Sequence, residues 1–108
     1  MAKQASETPV LDLLAGMTAL SLEATTLDAQ ETMLARIAAL VAVDAPPISY
    51  ALNLGAAGQV DVTAEQIRGV FAAIAPIVGT ARIASAMGNI VRALALEELA
   101  EAGAEAPS

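Results

Sequence analysis

Alanine fills 27 of the 108 positions of this chain, while Phe and Tyr occur once each and Trp not at all. A core drawn from Leu, Ile, Val, Met and Ala is poor in the aromatic side chains that strands favour, and it suits helices packed at short range. The sequence therefore predicts an all-α protein. At 56% apolar and 16% charged residues it is too hydrophobic to stay disordered, and its length is that of one ordinary domain.

Punctuation divides the chain into about five helices. Thr8 and Pro9 open the first, at the N-cap and the first helical position, and Val10, Leu13, Leu14, Met17 and Leu20 recur at helical spacing up to Glu23. Thr25-Thr26 interrupts it. Asp28 with Glu31 has the form of a capping box for a helix over about 29–43, which Asp44-Ala45-Pro46-Pro47 ends. A third helix starts at Pro46-Pro47 and stops at Gly58. Thr63 and Gln66 cap a fourth, which carries Ile67, Val70, Phe71 and Ile74 inward until Pro76 or Gly79. The fifth opens near Thr80 and passes Leu94, with Gly88 permitting a close helix contact. The middle pair is expected to form an antiparallel hairpin. Residues 9–100 make one helical domain, with a flexible N-terminus at 1–8 and an acidic flexible tail at 101–108, and there is no internal repeat.

Charge is unevenly spread. The net −7 comes largely from the ends, where residues 97–108 hold Glu97, Glu98, Glu101 and Glu105 without a base. Residues 24–94 carry four arginines against five carboxylates, nearly neutral, with no basic patch for nucleic acid. Nine charges over those 71 positions is few for an exposed monomer surface, of which about 25–35% is normally charged. A membrane span does not explain this, because the best window, Gly69 to Val91, carries Arg82 together with Pro76, Gly79, Gly88 and Asn89. Homo-oligomerisation, which covers weakly charged faces with copies of the same chain, does. The N-terminal residues lack the apolar core of a signal peptide, so the cytoplasm is the expected location.

The chain has neither cysteine nor histidine, which excludes disulfides, thiolate nucleophiles and the usual proton shuttle. No metal and no cofactor is expected.

The block Leu27-Asp28-Ala29-Gln30-Glu31-Thr32-Met33-Leu34 and the stretch Leu52-Asn53-Leu54-Gly55-Ala56-Ala57-Gly58-Gln59-Val60-Asp61-Val62-Thr63-Ala64-Glu65-Gln66-Ile67-Arg68 resemble the carboxymuconolactone decarboxylase and alkylhydroperoxidase D superfamily, over about residues 24–94. Members of that family show a Leu-rich helix with an early Glu, a Cys-x-x-Cys-x-x-x-His segment, an alanine-rich helix ending in Ala-Gly, and a Thr-x-Glu-Glu-Ile-like helix start. Aligning Ala-Gly with Ala57-Gly58 puts the family's cysteines at Val43 and Pro46, its histidine at Tyr50 and its early glutamate at Glu31. The resemblance implies a helical scaffold and assembly as a trimer or hexamer. Its redox branch needs a low-pKa thiolate and a resolving thiol, which valine and proline cannot supply. Peroxidase activity by this chain alone is therefore rejected, and thiols borrowed from a partner are a remote third possibility. The decarboxylase branch survives thiol loss, but without the histidine its acid-base chemistry is in doubt.

Five residues are candidates for a site. Glu31 is either a retained general base or a capping-box residue returning to the Asp28 amide. Tyr50, the one tyrosine, either donates a hydrogen bond to a ligand carbonyl or carboxylate or is a half-buried ring with its hydroxyl at solvent or an interface. Ser49 and Asn53, one turn apart, either line a polar pocket or serve ordinary capping and surface roles; without a histidine, Ser49 has no hydrolase triad. Arg82, two turns before Asn89, either binds an anionic substrate or pairs with Asp44 or Glu31, within the chain or across a subunit boundary. Pro46-Pro47 either rigidifies a pocket mouth or starts a helix. Two functions follow as expectations. One is a redox-inactive carboxymuconolactone decarboxylase-like protein, a possible lyase, that binds a small organic acid at a subunit interface through Glu31, Tyr50 and Arg82. The other is a structural or interaction protein whose homo-oligomeric assembly is its function.

Overall fold

A computed structural model of the protein describes residues 7–105, and their side chains as far as residues 96 and 98. The described residues are all-helical, with five helices: α1 Pro9–Ala24, α2 Ala29–Ala42, α3 Pro47–Gln59, α4 Ala64–Val78 and α5 Thr80–Glu105. None is long and apolar enough to cross a membrane. Helix α5 runs to Glu105, past the position where the sequence reading begins its tail; Glu and Ala are strong helix formers and proline first returns at Pro107. The expected flexible segments lie in part, at 1–6 and 106–108, outside the described residues.

Two of the helix starts are capping boxes. The Asp28 carboxylate accepts from the Glu31 amide at 2.8 Å while Glu31 accepts from the Asp28 amide at 2.9 Å, and Thr63 and Gln66 repeat the arrangement at α4. Pro46 stands at the N-cap of α3 and Pro47 inside its first turn, so the proline pair starts a helix. Thr8 occupies the N-cap of α1, but its hydroxyl donates to the Asp12 carboxylate instead of capping the backbone.

Helices α2 and α4 end where the sequence places them, and the end of α3 differs by one residue. Gly58 does not stop α3: the helix continues to Gln59, and the reversal falls on Asp61 at φ 64°. The Val62 amide reaches back to the Ala57 carbonyl at 3.0 Å and the Asp61 amide to Gly58 at 3.2 Å, a Schellman closure. Helix α2 ends the same way, with Asp44 at φ 55°, Ala45 bonding Leu40 and Asp44 bonding Val41. Aspartate tolerates the left-handed region better than most residues, which is why two aspartates serve where glycine is usual. Pro76 sits within the last turns of α4, which ends at Gly79 with φ 87°.

Helices α2 to α5 pack on one another, α3 against α2 and α5, and α4 against α2 and α5. One core cluster holds Val41, Ala45, Tyr50, Ala86 and Ala93; the other holds Met33, Ile37 and Ala57, with Leu54 and Phe71 touching both. The cores are small because alanine dominates the contact positions. Gly88 was expected to admit a neighbouring helix, yet nothing lies within 4 Å of where its Cβ would stand.

Helix α1 stands apart. It has no buried residue and belongs to none of the packed helix pairs. The radius of gyration, 16.1 Å, exceeds the ~13 Å of a fully packed domain of this length. The Thr25 hydroxyl holds the turn into α2 by accepting from the Leu27 amide, and Arg36 donates to the Ser21 hydroxyl at 3.0 Å.

Candidate functional site

The positions that the family resemblance makes equivalent to its reactive centre lie where α2 gives way to α3. Val43 is 70% exposed and Pro46 also faces solvent, while Tyr50 is wholly buried. The three positions thus do not converge on one pocket. The Tyr50 ring is clamped among Val41, Ala45, Ala86 and Ala93, and its buried hydroxyl has no hydrogen-bond partner among the described residues. Burial, with the Asp44 carboxylate as a lesser contributor, pushes this phenol above its ordinary value. It stays protonated at neutral pH and can act as a donor but not as a base.

Beside it a hydrogen-bonded chain joins the end of α2 to one face of α5. The Ser85 hydroxyl donates to the Asp44 carboxylate at 2.5 Å. The Asn89 amide donates to the Ala45 carbonyl at 3.2 Å and to the Ser85 hydroxyl at 3.4 Å, and Arg92 donates to the Asn89 carbonyl oxygen at 3.2 Å. These contacts pin the left-handed turn at Asp44 against α5 and satisfy the buried Ala45 carbonyl and Asn89. Of these residues, sequence reasoning named Asn89 only as a neighbour of Arg82 and missed Ser85 and Arg92. Their i, i+4, i+7 spacing on an otherwise apolar helix is the signal that could have found them.

The predicted site residues take different positions within the chain. Glu31 is exposed and engaged in its capping box, about 15 Å along α2 from Val41 in the Tyr50 cluster. Arg82 is exposed; within the chain Asp44 accepts from Ser85 and Glu31 from the Asp28 amide. Asn53 donates to the Ser49 carbonyl on its own helix at 2.9 Å, so these two do share a face. Asn53 also borders a shallow gap of about 300 Å³ with Leu14, Met17, Ser21 and Arg36. Among the described residues no cluster of acidic side chains could hold a metal ion.

A larger concavity than the gap beside Asn53 lies elsewhere. Leu54, Ile67 and Phe71 with Met87, Ile90 and Leu94 line an open groove of about 450 Å³ between α4 and α5, with Arg68 the one charged lining residue among those described. Its size is that of a small-molecule site, and its lining is almost entirely apolar. Such a groove can hold a hydrophobic body, with Arg68 offering a partner to an acidic group. No family model matches the chain, and no curated protein or solved structure matches it.

Proposed function

We propose that this chain is a redox-inactive, carboxymuconolactone decarboxylase-like protein that works as a homo-oligomer, its assembly being the functional unit. One observation carries this: helix α1 buries nothing, and its Val10, Leu11, Leu13, Leu14, Met17, Leu20 and Leu22 stay between 51% and 67% exposed. Met87 and Val91 on α5 are exposed as well, and exposed apolar faces of this kind mark surfaces that associate. The trimeric or hexameric state, the antiparallel pairing of the central helices and the cytoplasmic setting belong to the same proposal. The scaffold resemblance at Leu27–Leu34 and Leu52–Arg68 supports it.

A second reading, binding of a small organic acid, is favoured by the groove beside Arg68, whereas Glu31 is held in its capping box and the Tyr50 ring is buried. Sedimentation at micromolar concentration tests the primary reading. A single species at a multiple of 10.8 kDa is expected, and a monomer refutes it.

A further inference from the structure

We propose that the α4–α5 groove binds a medium-chain monocarboxylic acid, with the carboxylate on Arg68 and the chain against the apolar walls. The inference rests on the organic-acid reading, to which it adds the class of acid, and it does not depend on assembly.

Two helices build the groove with the same register. Its lining runs from Ala64 to Phe71 on α4 and from Met87 to Leu94 on α5, both at i, i+3, i+4, i+7 spacing, so each helix contributes one continuous stripe. Each stripe is about 10 Å long. Arg68 occupies the i+4 position of the first stripe, where the second carries Val91. A charge therefore stands within an otherwise apolar lining instead of on the outer face of α4.

That charge is available. Arg36 donates to Ser21 and Arg92 to Asn89, and Arg82 borders neither the groove nor the gap beside Asn53. Arg68 has no hydrogen bond or ion pair among the described residues, not even with Glu65 one turn before it, and no carboxylate among them lines the groove. A guanidinium so placed matches a carboxylate through two parallel N–H donors. Apart from Arg68 the lining offers no side-chain donor or acceptor, so the rest of the ligand has to be apolar. The hydroxyls of a sugar, the amides of a peptide or a second carboxylate would lose water there without a replacement partner. A volume of about 450 Å³ is that of a small-molecule site, and stripes of about 10 Å suit a chain of medium length. Val43, Pro46 and Tyr50, the positions equivalent to the family's reactive centre, take no part in this lining.

Methyl NMR of the full chain, titrated with hexanoate, octanoate, decanoate, decanol and succinate, tests this. Decanoate is expected to move the Ile67, Met87 and Ile90 methyl signals, with affinity rising about two- to fourfold per added methylene. Decanol and the variant Arg68→Gln with decanoate should each bind about three- to tenfold more weakly than the parent protein with decanoate. Met87→Glu, at a position 57% exposed and so compatible with folding, places a like charge in the groove and should abolish decanoate binding with unchanged helix content. Three results overturn the proposal: shifts confined to α1 methyls, equal affinity for decanoate in Arg68→Gln, where Arg68 would merely cover apolar surface, and equal affinity for hexanoate and decanoate. The two readings fail separately. If succinate or hexanoate binds through Arg68 as tightly as decanoate, organic-acid binding stands and the class named here falls; if no carboxylate moves the groove signals, both fall.

Discussion

Replacing Tyr50 by Phe is expected to stabilise the protein. The ring is fully buried and its hydroxyl makes no hydrogen bond among the described residues, so folding strips that group of water without a replacement. A buried donor left unpaired costs about 1–3 kcal/mol. Phe keeps every ring contact with Val41, Ala45, Ala86 and Ala93 and removes only the orphaned oxygen. The expected gain is at least about 1 kcal/mol, about 4–8 °C in Tm for a domain of this size. Guanidinium unfolding followed by far-UV circular dichroism measures it, at one protein concentration because oligomer stability depends on concentration. A pH series adds a signature. Burial raises the Tyr50 pKa, so the folded chain holds this proton when the unfolded chain has released it. The stability from that difference is fully present below about pH 10, the unfolded value, and is lost as pH rises through the higher folded value. Tyr50→Phe is expected to lack this alkaline decline. Destabilisation of 1 kcal/mol or more would refute the reasoning, because it would mean that the hydroxyl has a partner supplied by a ligand or a second chain.

Three further substitutions probe separate parts of the account. Glu31→Gln keeps the reciprocal capping bond and is expected to change stability by a few tenths of a kcal/mol, while Glu31→Ala loses it and costs about 0.5–2 kcal/mol by chemical denaturation. Equal losses in the two variants would show that the carboxylate charge has a role beyond the cap. Asp61→Gly relieves a left-handed residue and is expected to stabilise by about 0.5–1 kcal/mol. Asp44→Gly removes the same strain but also the acceptor of Ser85, so its melting temperature should fall below that of Asp61→Gly. Ile37→Ala empties a fully buried position in the Met33–Ala57 cluster and should cost about 2–5 kcal/mol; a loss under 1 kcal/mol would mean that the cluster is not a packed core.

Element type was legible in the sequence because it rests on local chemistry. Capping residues three apart, prolines at helix starts and the shortage of strand-favouring side chains each act within a turn or two, and α2, α4 and the start of α3 fall where those signals place them. The end of α3 was misread because Gly58 looks like a stop, whereas Asp61 takes the left-handed position once Val62 bonds back to Ala57. The candidate site was read less well. Alignment with a family motif equates Glu31 and Tyr50 with one reactive centre, but the capping box holds Glu31 at the far end of α2 and packing turns Tyr50 inward while Val43 and Pro46 face out. The Asp44–Ser85–Asn89–Arg92 chain depends on contacts between residues more than 40 positions apart, which periodicity alone does not reveal.

The assembly reading depends on the apolar surface of α1 being covered by further copies of this chain. Light scattering coupled to size exclusion, run at micromolar concentration and again after tenfold dilution, measures this directly. The account predicts a mass that is an integral multiple of 10.8 kDa and that Met17→Glu reduces; a parent protein at 10.8 kDa under both conditions would contradict it.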